Sequence, residues 1–282
     1  MTMRGKMPYS AQVLERWAMD YAREHGLVRK RVQDWISYMI LASKIEKAVG
    51  PDASLFVIKG GVALEMRLGR RARATRDLDL IARVVGAEGP AEALRVALGG
   101  SYQDFTFRVK DDPYHMEDGS VRVEVVLEYR DRGWGTVQVD LTPEEDHALE
   151  REDLAPFDLG FFGLEPAEGL PCLSLRYHIA HKIHGMTRPS TEEWNNDRVH
   201  DLIDVFLLKE LAADLEMRDL RAACVEVFKA REKHEWPPIF LPPASWEPEF
   251  EAMAERVGIP VKDFETAVRA ARDYIAEVDG SA

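Results

Sequence analysis

Two aspartates, Asp77 and Asp79, stand one residue apart at the start of an apolar run, and a glycine pair, Gly60-Gly61, closes another apolar run upstream. On a strand, residues i and i+2 project to the same side. Two carboxylates held that way repel, and one is pushed toward protonation unless a cation lies nearby. A hard divalent ion removes that penalty by taking both as oxygen ligands. Magnesium in particular uses a few carboxylates and fills its remaining positions with water and phosphate oxygens. The glycines supply a complementary half. Lacking Cβ atoms, a Gly-Gly turn lets backbone N–H groups approach an anion closely. A helix opening there adds the positive end of its dipole. Lys59 and Arg76 add formal charge. The set suits a triphosphate whose metal is shared with the aspartates.

A third carboxylate is expected from a neighbouring strand. Asp140 lies in the alternating run "TVQVDLT", with Val137, Val139 and Leu141 on one face and Gln138 and Asp140 on the other. Aspartate is disfavoured inside strands, so its presence there points to a site as well as to a solvent-facing position. Glu124, in "VRVEVVLEY", is the competing choice.

The elements that must hold these residues follow from periodicity. Residues 10–25 read as a helix with Ser10 as N-cap, and residues 31–49 as a more apolar helix stopped by Gly50-Pro51. A buried strand is expected at 55–58, a helix at 62–68 and a strand at 78–84. A short helix at 89–100 precedes strands at 104–110, 121–129 and 136–142. From about residue 170 the pattern turns helical, at 172–186, 197–211, 214–231, 245–256 and 261–278. The proline-rich connection 235–248 is bracketed by Trp236 and Trp246. The expected fold class is α+β: a small mixed β-sheet core with helices, plus a helical C-terminal domain. Three parts are expected: N-terminal helices 1–50 packing on the core, an α/β core at 51–165, and a helical domain at 166–282 completing the active-site cleft.

Composition narrows the class. The chain has 282 residues, 46% hydrophobic and 31% charged, as in an ordinary globular protein. No apolar run reaches the ~18 residues of a membrane span, and residues 1–12 lack the apolar core of a signal peptide. A cytoplasmic protein with no membrane partner is expected. Cys172 and Cys224 match no metal spacing. The net charge is −13, yet residues 1–76 hold 15 Lys or Arg against 7 Asp or Glu. That basic part could hold a polyanion locally, or simply coat a solvated surface. His178, His181 and His184 recur every third residue, but no H-E-x-x-H pattern accompanies them. They read as a helix surface, while Met7, Met19, Met39 and Met66 read as core.

In the order strand, Gly-Gly, helix, Asp-x-Asp strand, these motifs resemble the nucleotidyltransferase superfamily of polymerase β-like folds. More narrowly, "IKGGVALEMRL", "TRDLDL", "LSLRYHIAHKIHGMTR" and "NDRVHDLIDVFLL" resemble the AbiEii/AbiGii toxin family. The resemblance spans roughly residues 30–210. It implies a late lysine, here Lys182 in "HKIHG", and a late R-x-K-D-x-x-D helix, here Arg198, Asp201 and Asp204. Two departures stand out: His200 replaces the usual lysine, and Thr75 replaces a serine often found two residues before D-x-D. The family also leaves open a modification of that hydroxyl by a partner. Asp201 and Asp204, three apart, share one helix face. A Lys182–Asp204 pairing across two helices is expected, either to aim the ammonium at the triphosphate or as a plain helix–helix salt bridge.

The resemblance implies an Mg2+-dependent enzyme, with Mn2+ as a possible substitute. It would move a nucleoside monophosphate from an NTP to an acceptor, the 3′ end of tRNA, as a toxin restrained by a cognate antitoxin. Asp77, Asp79 and Asp140 would hold metal. Lys59, Gly60, Gly61, Thr75, Arg76, Lys182 and Arg198 would bind nucleotide, and Asp77, Asp79, Asp140, Lys182 and Asp204 would form the catalytic set. Arg67, Arg70, Arg71 and Arg73 are candidates for tRNA phosphate contacts. Two alternatives stand beside this: a nucleotidyltransferase acting on an antibiotic or a protein side chain, and a non-catalytic nucleotide-binding module.

Overall fold

The computed structural model describes residues 6–48, 54–83, 89–116, 119–144 and 150–281. The Gly50-Pro51 stop and Val84 lie outside the described residues. The chain divides into two compact units. The first comprises Met1–Gly69, Ala74–Glu144 and Arg151–Cys172, and the second Arg70–Arg73, Glu145–Glu150 and Leu173–Ala282.

The first unit is a mixed sheet with helices. Its strands are β1 (Phe56–Lys59), β2 (Asp77–Ala82), β3 (Ser101–Tyr102), β4 (Phe105–Val109), β5 (Tyr114–His115), β6 (Val121–Tyr129), β7 (Arg132–Pro143), β8 (Arg151–Leu154) and β9 (Leu170–Leu173). Their order is β3-β4-β6-β7-β2-β1-β9-β8, with β5 added to β6. β2 runs parallel to β7 and antiparallel to β1. The helices are α1 (Ala11–Glu24), α2 (Arg29–Glu46), α3 (Gly60–Leu68) and α4 (Gly89–Ala97).

Alternation decides which side each strand residue faces. Leu78, Leu80, Val139 and Leu141 are fully buried in one core with Val32, Ile36 and Ile40 of α2, Leu14 of α1 and Leu94 of α4. Each such burial contributes roughly 1.5–3 kcal/mol. The intervening Asp77, Asp79, Gln138 and Asp140 are half-buried and therefore occupy the opposite side of the sheet. Ser10 caps α1 as expected, accepting from Val13 N–H at 3.4 Å.

The second unit is helical: α5 (Leu175–Thr187), α6 (Val199–Leu211), α7 (Met217–Arg231), α8 (Trp246–Val257) and α9 (Phe264–Asp279). The proline-rich connection is pinned by its tryptophans. Trp236 donates to Asp279 at 2.9 Å and Trp246 to the Asn196 carbonyl at 2.8 Å.

Several local expectations change. Residues 170–173 form strand β9, where a helix from 172 was expected; its register with β1 pairs Ile58 with Cys172. His178 and His184 are buried, at 1% and 4% exposure, so they are packed inside the helical unit rather than spread over its surface. Met7 and Met19 are exposed. Among the described residues, no helix is long and apolar enough to cross a membrane. Both cysteines are buried, and burial pushes the Cys172 thiol up to about 12.

Candidate functional site

Strand register assembles the acidic residues of the sheet unit. Asp79 lies directly opposite Asp140 on β7 and opposite Lys59 on β1. Asp140 in turn lies opposite Arg122 on β6. One lateral row therefore reads Arg122, Asp140, Asp79, Lys59 across four adjacent strands. The next row reads Glu124, Gln138, Asp77. Asp77 and Asp79 share a face by their spacing, and Asp140 shares it by lateral pairing.

The register also separates the two contenders for third carboxylate. Asp140 is the immediate neighbour of Asp79. Glu124 is two strands from Asp77, exposed, and paired with Lys110.

The glycine turn sits against this row. Gly60 adopts φ +62°, and a Cβ there would collide with the Asp79 carboxylate. A Cβ on Gly61 would collide with the Thr75 side chain. Both glycines are required by close approach, and Gly60 also by its left-handed backbone. Thr75 is buried and donates its hydroxyl to Asp77 Oδ1 at 2.9 Å. Lys59 donates to Thr142 Oγ1 at 2.7 Å. Arg76 is exposed.

Two residues overlooked by the sequence reading support this arrangement. Arg122 grips Asp140 through both oxygens, Nε to Oδ1 and Nη2 to Oδ2, each at 2.7 Å. Glu65, on the inner side of α3, accepts from Trp35 Nε1 at 2.9 Å and Arg31 at 3.3 Å, and takes a backbone hydrogen bond from Thr75. Burial pushes its carboxyl up to about 7, although these donors oppose the rise. An acid within an apolar helix and an arginine within an alternating strand carry no signature that sequence alone separates from ordinary surface charge.

The donors on this face are hard oxygens, which fit a hard divalent ion. As they stand, no three acidic, histidine or cysteine side chains among the described residues converge as a ready metal-binding group.

The helical unit carries a second constellation. Lys182 on α5 is buried and lies 2.7 Å from Asp201 and 2.9 Å from Asp204 on α6. The expected Lys182–Asp204 pairing is present, and Asp201 joins it. Arg73 grips Asp204 with two hydrogen bonds of 2.9 Å. Burial disfavours the charged Lys182, but Asp201 and Asp204 outweigh it and its pKa rises. Burial likewise opposes ionisation of Asp201, yet Lys182, His200 and Arg198 hold that carboxyl well below the usual range. His200, at the lysine position of the late motif, lies 3.4 Å from Asp201, and burial lowers its pKa. Gly185 lets the helices close: a Cβ there would collide with Asp201. Arg198 is exposed, 3.6 Å from Asp201.

Of the four arginines considered for tRNA, Arg67 is paired with Glu152 and Arg73 with Asp204, both turned inward. Arg70 and Arg71 are exposed, and Arg71 pairs with Glu210.

A strand ending in a glycine turn, a helix, and a D-x-D strand beside a third acidic strand define a nucleotidyltransferase-like core. The sequence pattern of the nucleotidyl transferase AbiEii toxins of type IV toxin–antitoxin systems matches residues 47–270. The chain belongs to that family and is a nucleotidyltransferase. Membership implies an NTP substrate and an antitoxin partner. Its fold is similar to that of MenT4, a nucleotidyltransferase toxin from Mycobacterium tuberculosis, with a TM-score of 0.60 at 16% identity, covering 96% of this chain and 90% of that one. A more distant similarity is to ANT(2'')-Ia in complex with adenylyl-2''-tobramycin, with a TM-score of 0.35 at 18% identity over 70% of this chain and 97% of that one. No curated protein sequence matches the chain.

Proposed function

We propose that this toxin-family enzyme moves a nucleoside monophosphate from a magnesium- or manganese-bound NTP to the 3′ end of tRNA, releasing pyrophosphate. The observation that carries the reading is the register: Asp79 lies beside Asp140, Asp77 shares their face, and Gly60 is folded against the Asp79 carboxylate. The tRNA acceptor follows from the family resemblance.

In this reading the N–H groups at Gly60-Gly61 and the start of α3 cradle phosphate oxygens, and Lys59 and Arg76 add positive charge. Asp77 and Asp79 would hold the divalent ion, with Asp140 as third ligand or as the base for the acceptor hydroxyl. The ion, when bound, supplies charge neutralisation on the triphosphate. The Thr75 hydroxyl fixes the rotamer of Asp77. The acceptor oxygen bonds to the α-phosphorus as the bond to pyrophosphate breaks, and the hydroxyl proton leaves to a carboxylate. Lys182 and Arg198 are assigned to the nucleotide, and Asp204 to orienting Lys182. Positioning, rather than covalent chemistry, carries the rate.

The test combines purified protein, Mg2+, each labelled NTP in turn, and total tRNA. Label should enter tRNA with wild type and not with Asp77→Ala. Label passing instead to an aminoglycoside or a protein would move the acceptor to the alternative class. Equal labelling by both proteins would overturn the reading.

A further inference from the structure

The Arg122–Asp140 pair has a bland explanation. Cross-strand ion pairs on an open sheet face are common and weak. Two observations set this pair apart. Its acid is the lateral neighbour of Asp79, so it sits inside the D-x-D row rather than on a neutral stretch of sheet. Its grip is two-pronged, with one hydrogen bond to each carboxylate oxygen. Such a fork occupies one lone pair on both oxygens and fixes the plane of the carboxylate.

Charge arithmetic sharpens the point. Asp77, Asp79 and Asp140 bring three negative charges to one face of adjacent strands, and the lateral row of Asp79 and Asp140 also carries Lys59 and Arg122. Arg122 is 40% exposed at its side chain, whereas Asp140 is 14% exposed. The arginine is thus the more solvent-accessible partner of the two.

We propose that Arg122 is a resident counter-cation of this site: it holds Asp140 while no divalent ion is bound, yields it when ion and triphosphate arrive, and then turns its guanidinium to the phosphates. The inference rests on the nucleotidyltransferase reading of the carboxylate row and deepens it. It makes Arg122 a residue that exchanges one anion for another, acting against the ion alone and in favour of the ion–nucleotide complex. Lysine cannot reproduce the fork, because its ammonium is a point charge without planar donors.

The experiment titrates the full chain with Mn2+ alone by calorimetry, and then with a non-hydrolysable NTP analogue in saturating Mn2+. The proteins are wild type, Arg122→Gln, Arg122→Lys and Asp77→Asn. Thermal unfolding of each confirms that it is folded, and Arg122→Lys serves if Arg122→Gln is not. Relative to wild type, Arg122→Gln should bind Mn2+ alone about tenfold more tightly and the analogue about tenfold more weakly. Arg122→Lys should bind Mn2+ alone with intermediate affinity, since it keeps the charge and loses the fork. Weaker or unchanged Mn2+ binding by Arg122→Gln would mean that the arginine merely orients Asp140, and would overturn the inference. So would undiminished binding of the analogue. In either case the reading of the site survives, provided that Asp77→Asn loses Mn2+. If wild type and Asp77→Asn bind Mn2+ alike, the nucleotidyltransferase assignment of these carboxylates fails, and the inference fails with it.

Discussion

On the sheet, Asp77, Asp79 and Asp140 share one face with Lys59 and Arg122, and those five groups sum to a single negative charge. Their side chains are half-buried and water reaches them. In the helical unit, Asp201 and Asp204 meet Lys182 and Arg73 in a cluster whose charges cancel, with both acids essentially inaccessible. The same residue types do different work in the two places. A buried cluster that balances itself is costly to open, which holds Lys182 in one place for its proposed role at the nucleotide. An accessible, under-neutralised row costs the fold some repulsion and leaves a place for a cation.

The widest gap between the two should appear on removing one acid from that sheet face. Asp77→Asn is expected to lower nucleotide transfer by on the order of a thousandfold, the scale of losing a preorganised electrostatic group. Its melting temperature should hold or rise, because repulsion is relieved. A fall of several degrees would erase the distinction. The counterpart is Lys182→Met. Asp204 would then keep Arg73, and Asp201 only the looser Arg198 and His200 contacts, and the cost should be about 3–5 kcal/mol in chemical denaturation. If it costs less than 1 kcal/mol, the cluster is not costly to open.

Glu65 is an intermediate case, a buried acid with partial compensation. Its folded pKa of about 7 exceeds the ordinary 4.5, so the folded chain keeps the proton longer than the unfolded chain. Stability should therefore fall as pH rises from about 4.5 to 7 and then level off, by about 3 kcal/mol in all. Glu65→Gln should flatten that slope, leaving stability near pH 5 little changed and raising it at pH 8. An identical slope in the variant would show that Glu65 is not its source. The smallest effect should come from Gly60→Ala, at about 1–3 kcal/mol for a side chain in a left-handed backbone. Its transfer activity should fall much further than that stability loss accounts for, since the new Cβ strikes Asp79. Proportionate losses would mean that the turn serves folding alone.

Much of this arrangement can be read from the chain, for identifiable reasons. Gly60-Gly61 and Asp77-Leu78-Asp79 are local signals, because backbone freedom and i, i+2 spacing act within a few residues. The helices of the C-terminal part declare themselves by period. Pairing across strands is another matter. Nothing near Asp140 says that it lies beside Asp79 rather than beside a solvent-facing residue, and so Glu124 remained a rival until the register separated them. Leu170–Leu173 is too short and too apolar to distinguish strand from helix without its partner β1. Arg122 and Arg73 resemble any surface arginine until an acid distant in sequence is placed against them. His178 and His184 were expected along a helix surface, yet α5 is covered around much of its circumference.

β2 is an interior strand, bonded to β1 along one edge and to β7 along the other. Its amide hydrogens should thus be among the last to exchange with deuterated solvent, since exposing them requires opening the sheet on both sides. The platform beneath the aspartates is already locked before any substrate arrives. Isotope-exchange footprints of nucleotide should then appear in the residues leading into the strand, around Thr75 and Arg76, while the strand itself stays silent.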